Sequence, residues 1–475
     1  MERSSGVLMH ISSLFGDYSI GNFGENAKVF IDFLYDSGFK YWQVLPFNMA
    51  DQFNSPYQSY SAFSANPYFI SPETIYKQGY ITVEDLTSAR QNTPYSCEYE
   101  RLGKERFELL KKASKNAPKE KVAEFISSHP HIAEFCRFMA LKEANAQAGW
   151  WDWENENCSE ETLFAWQFIQ YEFFTEWAEI KEYANSKGIG IIGDIPIYVA
   201  YDSSDVYFNK KFFQLDEDNH PSCVAGVPPD YFSADGQLWG NPLYDWDEME
   251  KDGFSWWKDR ISHMLTLFDG VRIDHFRGLE SYWSVPYPAE NAKGGKWVKA
   301  KGEKFIDEIK RVAGDKLIIA EDLGEITDAV NELVDYSGFP GMRVFQFGFL
   351  SDGDSTHKCH NYKNNCIAYT GTHDNNTLLG YVWELNDSQR RNMLAYCGYT
   401  DQNWDNCYDS IIRTMLQSSA GLVIFPIQDL LGFGADTRLN VPGRAEGNWC
   451  FRITKEQLNS IDRKKYRDLN RLYHR

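Results

Sequence analysis

No apolar run in this chain approaches the roughly 18 residues that a membrane-crossing helix needs. Basic residues are also in short supply, 48 Lys+Arg against 68 Asp+Glu, which leaves a formal charge of −20. Nucleic-acid binding depends on Lys and Arg neutralising phosphates, and an anionic membrane surface attracts the same cations, so neither partner is expected. The opening stretch MERSSGVLMHISSLF has no long apolar segment and no small-residue cleavage site, so no secretory signal is read there. There is no C-x-x-C pair among the nine cysteines, and their number is odd. Unpaired thiols in a reducing cytoplasm are the expectation. His357, Cys359 and His360 form one crowded tract, whereas zinc sites usually use two spaced pairs, so no metal site is predicted. Internal repeats, low-complexity tracts and a phosphate-cradling glycine loop are all missing, and no cofactor is expected.

Aromatic residues, by contrast, are abundant: 32 Phe, 28 Tyr and 15 Trp, or 16% of the 475 residues. Much of this must be core, but Tyr and Trp also present an apolar face with a polar tip, which suits sugar rings. Length alone points to about three domains, a prior that large barrel folds override.

Eight short apolar runs recur along the chain: 6–10, 41–46, 189–195, 270–274, 317–321, 342–347, 366–371 and 421–426. Continuous runs of this length read as parallel strands buried on both faces. Between them lie amphipathic stripes at 25–37, 168–186, 254–268, 303–312, 325–336 and 405–418. Gly38, Gly188, Gly314 and Gly338 follow four of these stripes, where glycine accepts the left-handed turn that ends a helix. Strand and helix alternating eight times predict an α/β fold, a (β/α)₈ TIM barrel, with an open doubly wound sheet as the alternative.

Residues 47–188 separate the second and third runs, far more than one crossover helix uses. Residues 71–165 are rich in Lys, Glu and Ala, with helical patterns at 104–114 and 131–146. They are read as an inserted, mainly helical subdomain, with residues 1–70 and 166–475 forming the barrel. Residues 220–245 read as a long, aromatic-rich functional loop, and 293–304 as a solvated loop leading into a helix.

Barrel active sites lie at the C-terminal strand ends. Asp194, Asp274-His275, Glu321-Asp322, His373-Asp374 and Asp429 all fall there. Acids converging from different strands fit divalent-metal binding or glycoside transfer. Arg272 helps to choose, because residues i and i+2 of a strand share a face and a cation beside Asp274 would weaken a metal site. It would favour the ionised carboxylate that a nucleophile requires. Glu321 is then the acid/base, with a pKa raised by burial and by neighbouring charge.

At these residues the chain resembles the 4-α-glucanotransferases known as amylomaltase or disproportionating enzyme, relatives of the α-amylase clan. The likeness runs from Gly6 to about Arg452 through GVLMHISSL, WQVLP, SPYQSYSAFSANP, GDIPIYVAYDSSDV, AGVPPDYFSADGQLWGNPLYDW, VRIDHFRG, IAEDLG, GFPGMRVFQF, YTGTHDNNT, QDLLGFGADTRLNVPG and GNW. The resemblance implies a (β/α)₈ barrel and a retaining double displacement on α-1,4-glucans and maltooligosaccharides. It implies Asp274 as nucleophile, Glu321 as acid/base and Asp374 as the third acid. Arg272, His275, His373 and Asp194 correspond to donor-subsite partners. Tyr57 and Ser55 in SPYQS, with Gln237, Trp239 and Asn241 in QLWGNP, correspond to glucan contacts. The loop carrying Trp239 resembles a flexible lid. Departures at Ile11–Phe15, Phe47–Met49 and Lys299–Gly302 lie outside the acids and bear on acceptor preference. The chain starts almost at the first strand, so the extra N-terminal domains of some relatives are not expected. A retaining amylase-type hydrolase would use the same acids. A binding protein on a degenerate barrel would be expected to have lost one.

Overall fold

The computed structural model describes residues 2–50, 53–229, 233–351, 353–401, 403–444 and 446–475. Eight strands, Ser4–Leu8, Tyr41–Gln43, Gly190–Ile195, Gly270–Ile273, Leu317–Ala320, Gly341–Val344, Cys366–Tyr369 and Leu422–Pro426, form a closed barrel. Every neighbouring pair is parallel, and Ser4↔Leu422 through Leu8↔Pro426 closes the ring. Alternate residues divide between two apolar clusters. Leu8, Ile192, Ile319, Ile367 and Ile424 belong to the inner one, whereas Val7, Ile191, Ile318, Ala368 and Val423 pack outward against helices. Burial on both faces is why the strands read as continuous apolar runs.

Several strands stop short of the predicted ends, and two of them are followed at once by an acid, Asp274 and Glu321. The ladder still ties Asp274 N to Ile195 O and Glu321 N to Ile273 O, at 2.9 and 3.1 Å. Each acid is therefore the last residue its strand holds, which couples its position to the rigid barrel.

The predicted stripes become helices Glu25–Asp36, Glu160–Ser186, Ser255–Leu267, Gly302–Ala313, Asp328–Ser337 and Cys407–Gln417. The second starts earlier than its stripe because Ser159 caps it, accepting from Thr162 N at 3.4 Å. Gly38, Gly188, Gly314 and Gly338 all have positive φ just past helix ends. Residues 71–165 carry helices Pro72–Lys77, Val83–Ser88, Tyr99–Ser114, Lys119–Ser128 and Pro130–Ala144.

One difference matters for the site. The 220–245 segment is not a plain loop: Cys223–Val227 and Gln237–Pro242 are strands of a four-stranded antiparallel sheet with Ser281–Pro286 and Lys296–Lys299. The last of these occupies only part of the solvated loop expected at 293–304, is itself largely exposed, and leads into helix Gly302–Ala313 as expected. The sequence hides these strands because their partners are distant and glycines interrupt the apolar pattern. Gly226 has to be glycine-sized, since a Cβ there would sit 2.5 Å from Gln237 O. Asp230, Tyr231 and Phe232 of the proposed lid lie outside the described residues.

The fifth and sixth strands share only the pair Gly341↔Ala320. Asp322 supplements that short ladder, accepting from Met342 N at 2.6 Å and from the Arg343 guanidinium at 3.0 Å. A Cβ at Gly341 would lie 2.4 Å from this tethered carboxylate, whereas one at Gly294 would meet nothing within 4 Å. Gly341→Ala is therefore expected to cost about 1–3 kcal/mol and to lower the thermal unfolding midpoint, with Gly294→Ala close to wild type. Equal midpoints for the two variants would contradict the fixed Asp322.

Candidate active site

Arg272 stands opposite Asp194 on the third strand and Ile319 on the fifth, and it points into the barrel. It is 5% exposed and Asp194 is fully buried. Its Nη1 donates to both Asp194 oxygens at 2.8 Å, and its Nη2 donates to Asp274 Oδ1 at 2.7 Å. The Tyr57 hydroxyl adds a 2.7 Å bond to Asp194 Oδ2. Burial raises the pKa of Asp194 against the opposing charge of Arg272. Burial would also favour neutral Arg272, but Asp194 and Asp274 push its pKa well above the ordinary value. Arg272 is a permanent cation.

Glu321 is 9% exposed. Its Oε2 accepts from His275 N at 2.6 Å, and its Oε1 from Leu323 N at 3.0 Å. Burial first, and the Asp274 charge second, push its pKa up to about 8, over the opposing effects of Arg272 and the two amides. His275 adopts a left-handed backbone, φ 50°, that turns its amide toward Glu321. Its ring meets Trp239 edge-on at 4.8 Å, and its buried Nε2 has no hydrogen-bond partner among the described residues. Burial lowers the pKa of His275 to about 4, so the ring is neutral near pH 7.

Asp374 receives the opposite treatment. Partial loss of solvent in the cavity opposes its charge, but His373 Nε2 at 3.3 Å and Asn440 Nδ2 at 2.6 Å outweigh that and hold its pKa at about 2. His373 loses basicity to burial and regains more from Asp374, for a net rise. Its ring stacks on Tyr57 at 5.0 Å and packs 5.8 Å from Trp449. Asp429 ties the two ends of the loop carrying this pair, accepting from Thr370 Oγ1 at 2.5 Å and Leu378 N at 2.7 Å.

A cavity of about 340 Å³ opens over these groups. Of the residues predicted from sequence, Ser55, Tyr57, Gln237, Trp239, Asn241, Asp274, His373 and Asp374 line it. Arg272, Asp194 and His275 contact that lining from the barrel side, through Asp274, Tyr57 and Trp239. Glu321 lies behind it, held by the His275 amide and within reach of the Asp274 charge. Asn241 bridges to Gln58 Nε2 at 3.2 Å and Val199 O at 2.9 Å, fixing the sheet strand that bears Trp239. Gln58, Tyr198, Asn440 and Trp449 also line the cavity and were not singled out from sequence. Trp449, in GNW, combines a left-handed φ of 64° with near-complete burial, neither of which a sequence displays. A larger cavity of about 880 Å³, between Tyr99 and Asn448, holds none of the three acids.

Among the described residues, no group of three or more His, Cys, Asp or Glu is disposed to hold a metal. The His357–His360 tract disperses: His357 Nδ1 accepts from Val344 N, Cys359 packs on Met415, and His360 packs on Tyr396. The site combines Asp274 beside a buried cation, a buried Glu321 whose pKa is raised to about 8, and Asp374 at the rim with its pKa lowered to about 2. Infrared titration against an E321Q control should find the Glu321 carboxyl band persisting to pH about 8. A band lost below about pH 5, the ordinary range, would contradict the assignment.

A family profile described as 4-alpha-glucanotransferase matches residues 9–458. The 4-alpha-glucanotransferase of Synechocystis sp. is 41% identical over 96% of this chain and 95% of its own. That of Clostridium butyricum is 41% identical over 98% and 100%. A solved amylomaltase from Streptococcus agalactiae, in complex with acarbose, superposes with a TM-score of 0.95 at 37% identity, covering all of both chains. With a profile spanning nearly its whole length and relatives at this identity, the chain belongs to the 4-alpha-glucanotransferase family.

Proposed function

We propose that this enzyme moves an α-1,4-glucan segment from a donor maltooligosaccharide to the 4-hydroxyl of an acceptor glucan or glucose, by a retaining double displacement. Asp274 attacks the anomeric carbon. The glycosidic C–O bond breaks, and the departing oxygen takes the proton of Glu321. The acceptor hydroxyl then returns a proton to the Glu321 carboxylate while its oxygen displaces Asp274. The observation that carries this reading is the contrast between two neighbouring carboxyls: Glu321 is buried on two backbone amides, with its pKa raised to about 8, while Asp274 accepts from the buried Arg272 guanidinium at 2.7 Å.

Asp374 and His373 would hold sugar hydroxyls and hold the ring toward the oxocarbenium-like geometry. Arg272, Asp194 and His275 would fix the donor subsite, the last through its Nε2, which has no partner among the described residues. Tyr57, Ser55, Gln237, Trp239 and Asn241 would contact the glucan. Stacking of an acceptor ring and exclusion of water favour transfer over hydrolysis. The acarbose complex of the Streptococcus agalactiae relative supports a glucan-shaped ligand here. We also take residues 71–165 as a helical insertion in a catalytic barrel, continuous with it through helix Glu160–Ser186. Nine unpaired cysteines are consistent with a cytoplasmic setting.

With maltotriose, transfer yields glucose and longer oligosaccharides while total reducing ends stay constant. Rising reducing ends with no product longer than the substrate would make this a hydrolase. Asp274→Asn should lower turnover by about 10⁴-fold with the fold intact, and a variant keeping a tenth of the rate would remove the nucleophile assignment. Because Glu321 must carry a proton to donate, turnover should fall as pH rises through about 8. A profile flat to pH 10 would contradict that role.

A further inference from the structure

We propose that Trp151, backed by Tyr201, forms a second carbohydrate-binding platform that takes α-1,4-linked glucose units lying outside the catalytic cavity. The proposal rests on the α-glucan reading above and extends it to long chains. Trp151 keeps 38% of its surface exposed, while the adjacent Trp150 keeps 5%. One face of Trp151 lies flat on Tyr201, with centroids 4.4 Å apart and planes 8° apart, and the Gly149 backbone lies against the six-membered ring, so the indole surface still exposed is what a ligand would meet. A flat indole face with its other side rigidly supported matches the apolar C–H face of a pyranose ring.

The loop presenting this ring is built to hold it still. Ala146 and Gln147 are consecutive non-glycine residues with φ of 53° and 65°, a left-handed conformation that L-residues avoid unless surrounding structure enforces it. The enforcement is visible. Lys142, buried and paired with Asp202, donates to Ala148 O at 3.0 Å. The Asn145 side chain accepts from Glu154 N at 3.0 Å and Asn155 N at 2.8 Å, and donates to Leu141 O and Asn155 O, both at 2.9 Å. Gly149 gives the ring its room, since a Cβ there would fall 2.3 Å from Trp151 Cζ2. Tyr201 is itself anchored: its hydroxyl donates to Asn219 O at 2.8 Å and its carbonyl accepts from Trp150 Nε1 at 2.8 Å. Strain enforced by this many contacts, around a side chain left partly open to solvent, is hard to explain by packing alone.

Position supports the same assignment. Tyr198 lines the catalytic cavity and packs 6.2 Å from Trp239. Tyr201 lies three residues further on, a backbone reach of at most about 11 Å. A glucan chain leaving the cavity past Tyr198 can therefore reach Trp151, whereas a trisaccharide held at the acids has fewer units with which to do so. A protein partner is a poorer fit, because a stable interface buries far more than one exposed indole beside the acidic Asp152 can supply.

The test compares disproportionation of maltotriose with that of long-chain amylose by wild type, W151A and W151F. In W151A, kcat/KM for amylose should fall about five-fold relative to that for maltotriose, the size expected for one lost stacking contact, and W151F should fall in between. An unchanged ratio, or an equal loss on both substrates, would overturn the proposal. Failure of wild type to transfer from maltotriose would instead count against the functional reading itself. Hydrogen exchange on D274N protein keeps the proposal testable if W151A does not fold. Amylose should protect residues 144–156 and maltotriose should not, and no protection by amylose would overturn the platform.

Discussion

A guanidinium buried between carboxylates on neighbouring barrel strands is the constraint on which the active centre depends. Arg272 and Asp194 are both nearly or fully inaccessible, and ions removed from water are tolerated only when paired with good geometry. Here Nη1 spans both Asp194 oxygens, Tyr57 supplies a further bond, and Nη2 is left for Asp274. Losing the cation would strand a fully buried carboxylate, at a cost on the order of 3–5 kcal/mol. Tyr57 in turn stacks on His373, and His373 pairs with Asp374, so a single electrostatic centre orders groups from four segments of the chain.

From that centre the barrel gives its acids contrasting environments. Glu321 faces burial and the charge of Asp274, so it keeps its proton. Asp374, whose side chain is 47% exposed, has His373 and Asn440 to stabilise its charge. Separation of carboxyl pKa values by environment is how one site supplies an acid and an anion at the same pH. The second sheet brings Trp239 and Asn241 over these groups on paired strands, a stiffer mounting than a bare loop would provide.

The barrel was legible because parallel strands buried on both faces leave apolar runs, and because the candidate acids sit at the ends of those runs. The Arg272–Asp274 pairing was legible from strand parity alone. The Asp194–Arg272 register was not, since it depends on how strands from distant parts of the chain align. The antiparallel sheet escaped notice for a similar reason: Cys223 pairs with Pro286, and no local pattern announces that partnership. The motif resemblance, rather than periodicity, pointed to Ser55, Gln237 and Asn241. Asn440 and Trp449 stayed unassigned within matching motifs because their place in the cavity lining depends on tertiary folding that no local pattern displays.

The central claim is that Asp274 becomes covalently bonded to the donor sugar. A fluorosugar donor with a good leaving group, incubated with the E321Q protein, slows breakdown of such a species enough for peptide mass spectrometry. The account predicts one added glycosyl group on the peptide containing Asp274, and none in D274N protein. An adduct on Asp374 or Asp194, or a product of inverted configuration with no adduct, would contradict it.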